Sequence, residues 1–186
     1  MYRDFFDPTL DYFSLFNQEH KPQELTESNK DGTAYRKGIY ITNVEEKNDG
    51  TYFHMLRCSS NLRGPTDNLR ETDHKILYKL NTTAKQLYKD PADLNHVLAQ
   101  IYYNQMVDGK DRKARIAKHS DKTKDMPKNG LIVFCTFYEG YVNGQFTGKK
   151  YDKTMTGDFM YKGNSVLTKL VFKLKPDVSA EIKEKY

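Results

Sequence analysis

The chain has 186 residues, of which 37% are hydrophobic and 30% charged, with a net charge of +5. That suffices for one domain with a core and is too little for two full ones. Fourteen Tyr and ten Phe argue against a disordered chain, and two cysteines exclude a disulfide scaffold or a four-cysteine zinc site.

No run approaches 18 apolar residues, so no membrane-spanning helix is expected. The opening Met1-Tyr2-Arg3-Asp4-Phe5-Phe6-Asp7 has acids where a secretory leader needs an apolar stretch. With so few cysteines, the expected setting is a reducing one inside the cell, cytosol or nucleus.

In chain order, residues 1–16 are rich in Phe, Tyr and Leu and read as an arm packing on the domain. Residues 17–37 are polar and read as a loop, so that 1–37 form an N-terminal arm and loop and 38–186 a single domain. Segments 38–44 and 51–58 alternate as strands, and Asn48-Asp49-Gly50 between them predicts a hairpin. Residues 59–70 form a loop broken at Gly64-Pro65.

A helix over 73–89 follows, capped by Thr72 or Asp73. Ile76, Leu77, Leu80, Ala84, Leu87 and Tyr88 share one face, and Asp90-Pro91 ends it. The period then changes from 3.6 to 2. Strands are expected at 94–103, with Val97, Ala99 and Ile101 on one face, at 114–119, and at 131–138. The last is apolar on both faces, as a central strand would be, and places Cys135 in the core. Residues 141–163 read as a hairpin or long loop and 166–174 as a further strand. Helix followed by consecutive strands predicts an α+β fold with an antiparallel sheet packed on a helix.

The charge is uneven. From Val107 to Lys128 there are eight basic residues and four acids, so most of the net charge lies in this stretch. It reads either as a solvated face or as a surface for phosphate or another polyanion.

The pair His119-x-Asp121 has the chemistry of a metal site. On an extended strand, residues two apart point to one side. An imidazole and a carboxylate so placed can take two corners of a coordination sphere, the start of a 2-His-1-carboxylate triad. The pair alone is not specific, since composition gives about 0.7 such spacings by chance. Its other reading is an exposed His hydrogen-bonded to an Asp.

The order Leu94-Asn95-His96-Val97-Leu98-Ala99-Gln100-Ile101-Tyr102-Tyr103, a loop, Ala114 to Asp121, then Gly130-Leu131-Ile132-Val133-Phe134 resembles the AlkB-like branch of the 2-oxoglutarate/Fe(II) dioxygenases. The resemblance covers roughly residues 94–138. It implies a jelly-roll (double-stranded β-helix) core, with Fe(II) held by His119 and Asp121 and 2-oxoglutarate held by Gln100 and Tyr102. Gln100 stands where the family has Asn. The implied activity uses O2 to hydroxylate or demethylate a nucleobase or a protein side chain. By the same resemblance, Asn61 and Arg63 of the loop before the helix, and Lys122, are candidate substrate contacts.

The family's second His and its carboxylate-binding Arg would lie downstream, yet no His follows His119 and no Arg follows Arg115. The core is therefore expected to be incomplete. Two expectations remain: part of a longer oxygenase, or a catalytically inactive module binding nucleic acid or a protein through its basic 110–128 surface.

Overall fold

The computed structural model describes residues 5–26, 33–53, 66–103, 105–112, 114, 116, 118–121, 126–143, 145–146 and 171–185. Their elements are α1 (Tyr12–Glu19), β1 (Gln23–Thr26), β2 (Thr33–Thr42), β3 (Val44–Lys47), β4 (Gly50–Phe53), β5 (Asp67–Asn68), α2 (Glu71–Leu87), β6 (His96–Tyr102), β7 (Gln105–Val107), β8 (Lys110–Arg112), β9 (Tyr141–Val142), β10 (Gln145–Phe146) and α3 (Ala180–Lys185).

The fold is α+β, with a four-stranded mixed sheet centred on β2. β6 runs antiparallel along one edge of β2, from Arg36↔Tyr102 to Thr42↔His96. A strand has two edges, so β1 (antiparallel) and β5 (parallel, Ile41↔Asp67) share the other edge end to end. β2 is covered on both faces: Ile39 and Ile41 are buried on one, Tyr40 and Thr42 on the other, and Ile41 and Thr42 are fully inaccessible. The described residues form no closed barrel; the remaining pairings are three separate two-stranded hairpins.

The expected loop over 17–37 is corrected. It holds β1 and the first half of β2, because ladder pairing (Gln23↔Gly38, Glu24↔Lys37) overrides its polar composition. The expected hairpin exists, but its first arm is β3, with Val44↔Phe53 and Lys47↔Gly50 in register around Asn48-Asp49. Residues 54–58 of its expected second strand lie outside the described residues.

The arm packs as expected. Asp11 caps α1 by accepting from the Ser14 N–H at 3.0 Å. The Tyr12 ring stacks on Phe137 at 5.1 Å, and Phe6 packs on both.

α2 starts two residues earlier than expected. Arg70 is its N-cap, and Asp73, three residues into the helix, reaches back to accept the Arg70 N–H at 2.8 Å. Leu77 and Ala84 are buried, whereas Leu87 and Tyr88, expected on the same face, are exposed where the helix ends. Asn81 fastens α2 to the approach to β6, accepting from Leu94 N–H at 2.7 Å and donating to Leu94 C=O at 3.1 Å.

Three expected strands are not found among the described residues. Residues 114, 116 and 118–119 carry no ladder. Pairing is used just upstream, where Asp108 and Gly109, both at positive φ, fold β7 onto β8. Residues 131–138 are extended but unladdered, and Ile132, Val133 and Phe134 are exposed. Their anchorage is aromatic: Phe137 joins the N-terminal cluster and Phe134 meets Phe172 edge-on at 5.2 Å. Cys135 is accordingly free and exposed rather than in the core. In 166–174, residues 171–174 are exposed and not in a ladder, and the remainder lies outside the described residues. Among the described residues, no helix is long and apolar enough to cross a membrane.

Candidate functional site

β6 lines up two of the expected site residues. Gln100 and Tyr102 are two apart on the strand and so share a face. The Tyr102 hydroxyl donates to Gln100 Oε1 at 2.8 Å. Across the ladder, Arg36 lies directly opposite Tyr102, and Gly38 opposite Gln100. Gly38 has no side chain to intervene, and Arg36 Nη1 donates to the same Gln100 oxygen at 3.1 Å. Arg36 is 5% exposed, and its Nε–H is buried with no acceptor.

The second pair is also brought together. His119 Nε2 lies 3.3 Å from Asp121 Oδ1, and both side chains are about half exposed, at 51% and 47%. The pair sits on irregular backbone rather than at a strand end. The donor types fit two corners of an Fe(II) site: one imidazole nitrogen and one carboxylate oxygen, adjacent and reachable from solvent. Of the other histidines, His20 is enclosed, His74 and His96 are exposed, and His54 lies outside the described residues. Asn61, Arg63 and Lys122 also lie outside them, as does part of the basic 110–128 stretch, of which Lys110, Lys118 and Lys128 are exposed.

The sequence reading missed a third group. His20, directly after α1, is 2% exposed. Its Nδ1 lies 2.9 Å from Asp67 Oδ2 and its Nε2 2.8 Å from Asp73 Oδ2. Ionised carboxylates only accept, so the species that satisfies both contacts is the imidazolium, donating from each nitrogen. Burial lowers the His20 pKa, but the hydrogen bonds and charges of Asp73 and Asp67 outweigh it and the net shift is upward. For Asp67, burial raises the pKa. The His20 bond, the Asn68 N–H and Arg70 outweigh it, and the net shift is downward.

Glu19 adjoins this group, accepting from Thr72 Oγ1 at 2.9 Å, while its Oε2 is buried without a partner. Glu19, His20 and Asp73 could hold a metal by donor type and proximity. Both ring nitrogens of His20, however, stand at N–H···O distances from carboxylates, which is the geometry of a charged clip joining α1, β5 and α2. No local pattern could have revealed it, since the partners lie 47 and 53 residues away.

Two clefts border these elements. One, of about 650 Å³, lies between α1 and the sheet and is lined by Phe13, Asn17, Lys37, Ile101 and Tyr103. The other, of about 400 Å³, is lined by Glu19, Gln23, Gly38, Asp67 and Arg70. No protein-family model, curated protein or solved structure matches the chain.

Proposed function

We propose that the chain carries part of the catalytic site of a 2-oxoglutarate- and Fe(II)-dependent dioxygenase of the AlkB-like kind, on an incomplete double-stranded β-helix. The observation that carries this reading is the half-exposed His119–Asp121 pair with its donor atoms 3.3 Å apart. The hydrogen-bonded Gln100–Tyr102 pair on β6 supports it.

His119 and Asp121 would hold Fe(II). The Gln100 amide and the Tyr102 phenol would bind and orient 2-oxoglutarate. Fe(II), when bound, supplies the redox chemistry that couples oxidative decarboxylation of 2-oxoglutarate by O2 to hydroxylation of a substrate C–H bond. An N-methyl group on a nucleobase is the favoured substrate, because the exposed Lys110, Lys118 and Lys128 suit a phosphate backbone. A methylated protein side chain is the other candidate. The expected setting is intracellular, cytoplasmic or nuclear.

One observation favours the second reading, a catalytically inactive module that binds nucleic acid or protein: no His and no Arg occurs among residues 120–186. An anaerobic Fe(II) titration, with and without 2-oxoglutarate, separates the two. Specific uptake that is lost in His119→Ala/Asp121→Ala, with a metal-to-oxoglutarate charge-transfer band, is the expected result. Turnover of N-methylated single-stranded oligonucleotide is then assayed. Absence of specific uptake overturns the oxygenase reading and leaves the binding module.

A further inference from the structure

A strand paired on one side only carries a row of N–H and C=O groups along the other. β6 is such a strand, since among the described residues its one ladder partner is β2. The register says which groups face out. Tyr103 N–H donates to Tyr35 C=O at 3.2 Å, so Tyr103 and, by alternation, Ile101, Ala99 and Val97 turn their backbone groups toward β2. On β2, the Thr42 C=O accepts from Leu69 N–H at 3.1 Å and so faces away from its β6 partner His96, as the same alternation requires. His96, Leu98, Gln100 and Tyr102 therefore present their N–H and C=O groups at the outer edge of β6.

Natural sheets blunt such edges with charge, proline, short length or a bulge. The opposite edge of this sheet is blunted in three of these ways. β1 has four residues, includes Glu24 and shifts register between Glu24 and Thr26, while β5 has two residues. β6 has none of them. Its seven residues include no Lys, Arg, Asp, Glu, Pro or Gly, and its register along β2 is unbroken. Leu98, near its middle, is 42% exposed.

We infer that the outer edge of β6 is a self-association surface, on which a second copy of this chain pairs its own β6 antiparallel about a two-fold axis. The occupant is a second copy because the strand is complementary to itself. Outward groups must meet outward groups, and a register centred on Ala99 matches all four outward residues. Leu98 meets Gln100 of the other copy, His96 meets Tyr102, and each such pair exchanges both its hydrogen bonds. On the other face Val97 meets Ile101, an apolar cross-strand pair. Ala99 meets Ala99 on the axis, where the Cα atoms approach to about 4.5 Å and a small side chain fits. No like charges are brought face to face. Seven residues at about 3.4 Å each make a seam about 24 Å long, so the dimer belongs to the small, reversible class of interfaces. The blunted opposite edge gives the sheet nothing to extend with, and assembly closes at two. The seam uses the backbone of Gln100 and Tyr102 and leaves His119 and Asp121 aside, so it is independent of the oxygenase reading.

The test is sedimentation velocity over a concentration series from micromolar to millimolar, on wild type, Leu98→Pro, Leu98→Lys and Leu98→Thr. Circular dichroism and urea unfolding report the fold of each. Wild type is expected to pass from monomer to dimer as concentration rises. Leu98→Pro deletes one outward N–H and leaves the β2 ladder intact; it is expected to fold and to dimerise at least about tenfold more weakly. Leu98→Lys adds the charge that blunts natural edges and is expected to weaken the dimer similarly. Leu98→Thr keeps the donor and a strand-favouring side chain and is expected to stay within about threefold of wild type. The register is read by Ala99→Cys in a Cys58→Ser/Cys135→Ser background. Oxidation is expected to give a covalent dimer, because the two Cα atoms on the axis lie within disulfide reach, whereas Val97→Cys is expected to give none.

A wild type that stays monomeric at millimolar concentration overturns the inference, as does unchanged dimerisation of a folded Leu98→Pro. Equal weakening in Leu98→Thr and Leu98→Pro would assign the contact to the Leu98 side chain and overturn the backbone seam. Cross-linking through Val97→Cys in place of Ala99→Cys overturns the Ala99-centred register. Should Leu98→Pro not fold, Leu98→Lys and the Ala99→Cys cross-link decide.

Discussion

Replacing His20 with Leu removes both N–H donors of the buried clip and keeps a side chain of similar size. Asp67 and Asp73 then face each other's neighbourhood without the cation between them. Breaking a buried ion pair by deleting one partner costs about 3–5 kcal/mol. Here the remaining hydrogen bonds favour the lower end. Asp73 keeps the Arg70 N–H at 2.8 Å, and Asp67 keeps the Asn68 N–H at 2.8 Å and the Arg70 guanidinium at 3.0 Å.

A loss of about 3 kcal/mol, with a urea m-value of about 2–3 kcal/mol/M, lowers the unfolding midpoint by about 1–1.5 M. The pH dependence gives an independent reading. His20 has a folded pKa raised above its ordinary 6.5. Its contribution is therefore complete below that value and is lost as pH rises through the raised folded pKa. Asp67 has a folded pKa lowered below its ordinary 3.8, so its contribution holds above that value and fails as pH falls through the folded pKa.

Urea unfolding of wild type should thus weaken from about pH 6.5 upward, and the His20→Leu protein should be flat over the same range. Asp73→Asn should also destabilise, and the double variant should lose less than the sum of the single losses. A His20→Leu loss below about 1 kcal/mol, or a wild-type profile that is level from pH 6.5 to 9, would refute the imidazolium clip.

The core and the tightest turn give two further expectations. Ile41 is fully inaccessible at the centre of β2, so Ile41→Ala should cost about 2–5 kcal/mol in urea unfolding, and a cost under 1 kcal/mol would place the core elsewhere. Gly109 has φ +69°, and a Cβ there would meet nothing within 4 Å, so Gly109→Ala is penalised by its backbone alone. That penalty of about 1 kcal/mol should lower the melting temperature by about 2–4 °C. No change would mean that this turn leaves the left-handed region in solution.

What the sequence disclosed follows from the range of the interactions concerned. α2 was legible because Leu77 and Ala84 recur at helical spacing, and β6 because Val97, Ala99 and Ile101 alternate. The cap was misplaced because Arg70 is not a residue type that announces an N-cap; the stabilising group is Asp73, acting backward on the Arg70 N–H. β1 was missed because Gln23, Glu24 and Thr26 have no apolar period, and their strand state comes from pairing with β2. The opposite error occurred at 131–138, where a doubly apolar run found no ladder among the described residues and is held through Phe134 and Phe137 instead. At the candidate site, His119 with Asp121 was suggested by its spacing of two, whereas Gln100 with Tyr102 was singled out only through the family resemblance. Arg36 and His20 were not legible, since their partners come from 47 to 64 residues away.

The two buried cations differ in their partners. His20 has every donor nitrogen on a carboxylate, so it has nothing left to offer a ligand and can only hold α1, β5 and α2 together. Arg36 sits on the same strand that supplies Ile39 and Ile41 to the core, in a register fixed from Arg36 to Thr42 by seven paired positions. That register holds the Arg36 guanidinium beside Gln100 and Tyr102. For Arg36, Nη1 donates to the neutral Gln100 carbonyl that also accepts from Tyr102, and among the described residues the buried Nε–H has no acceptor, so this cation contributes less to stability than His20.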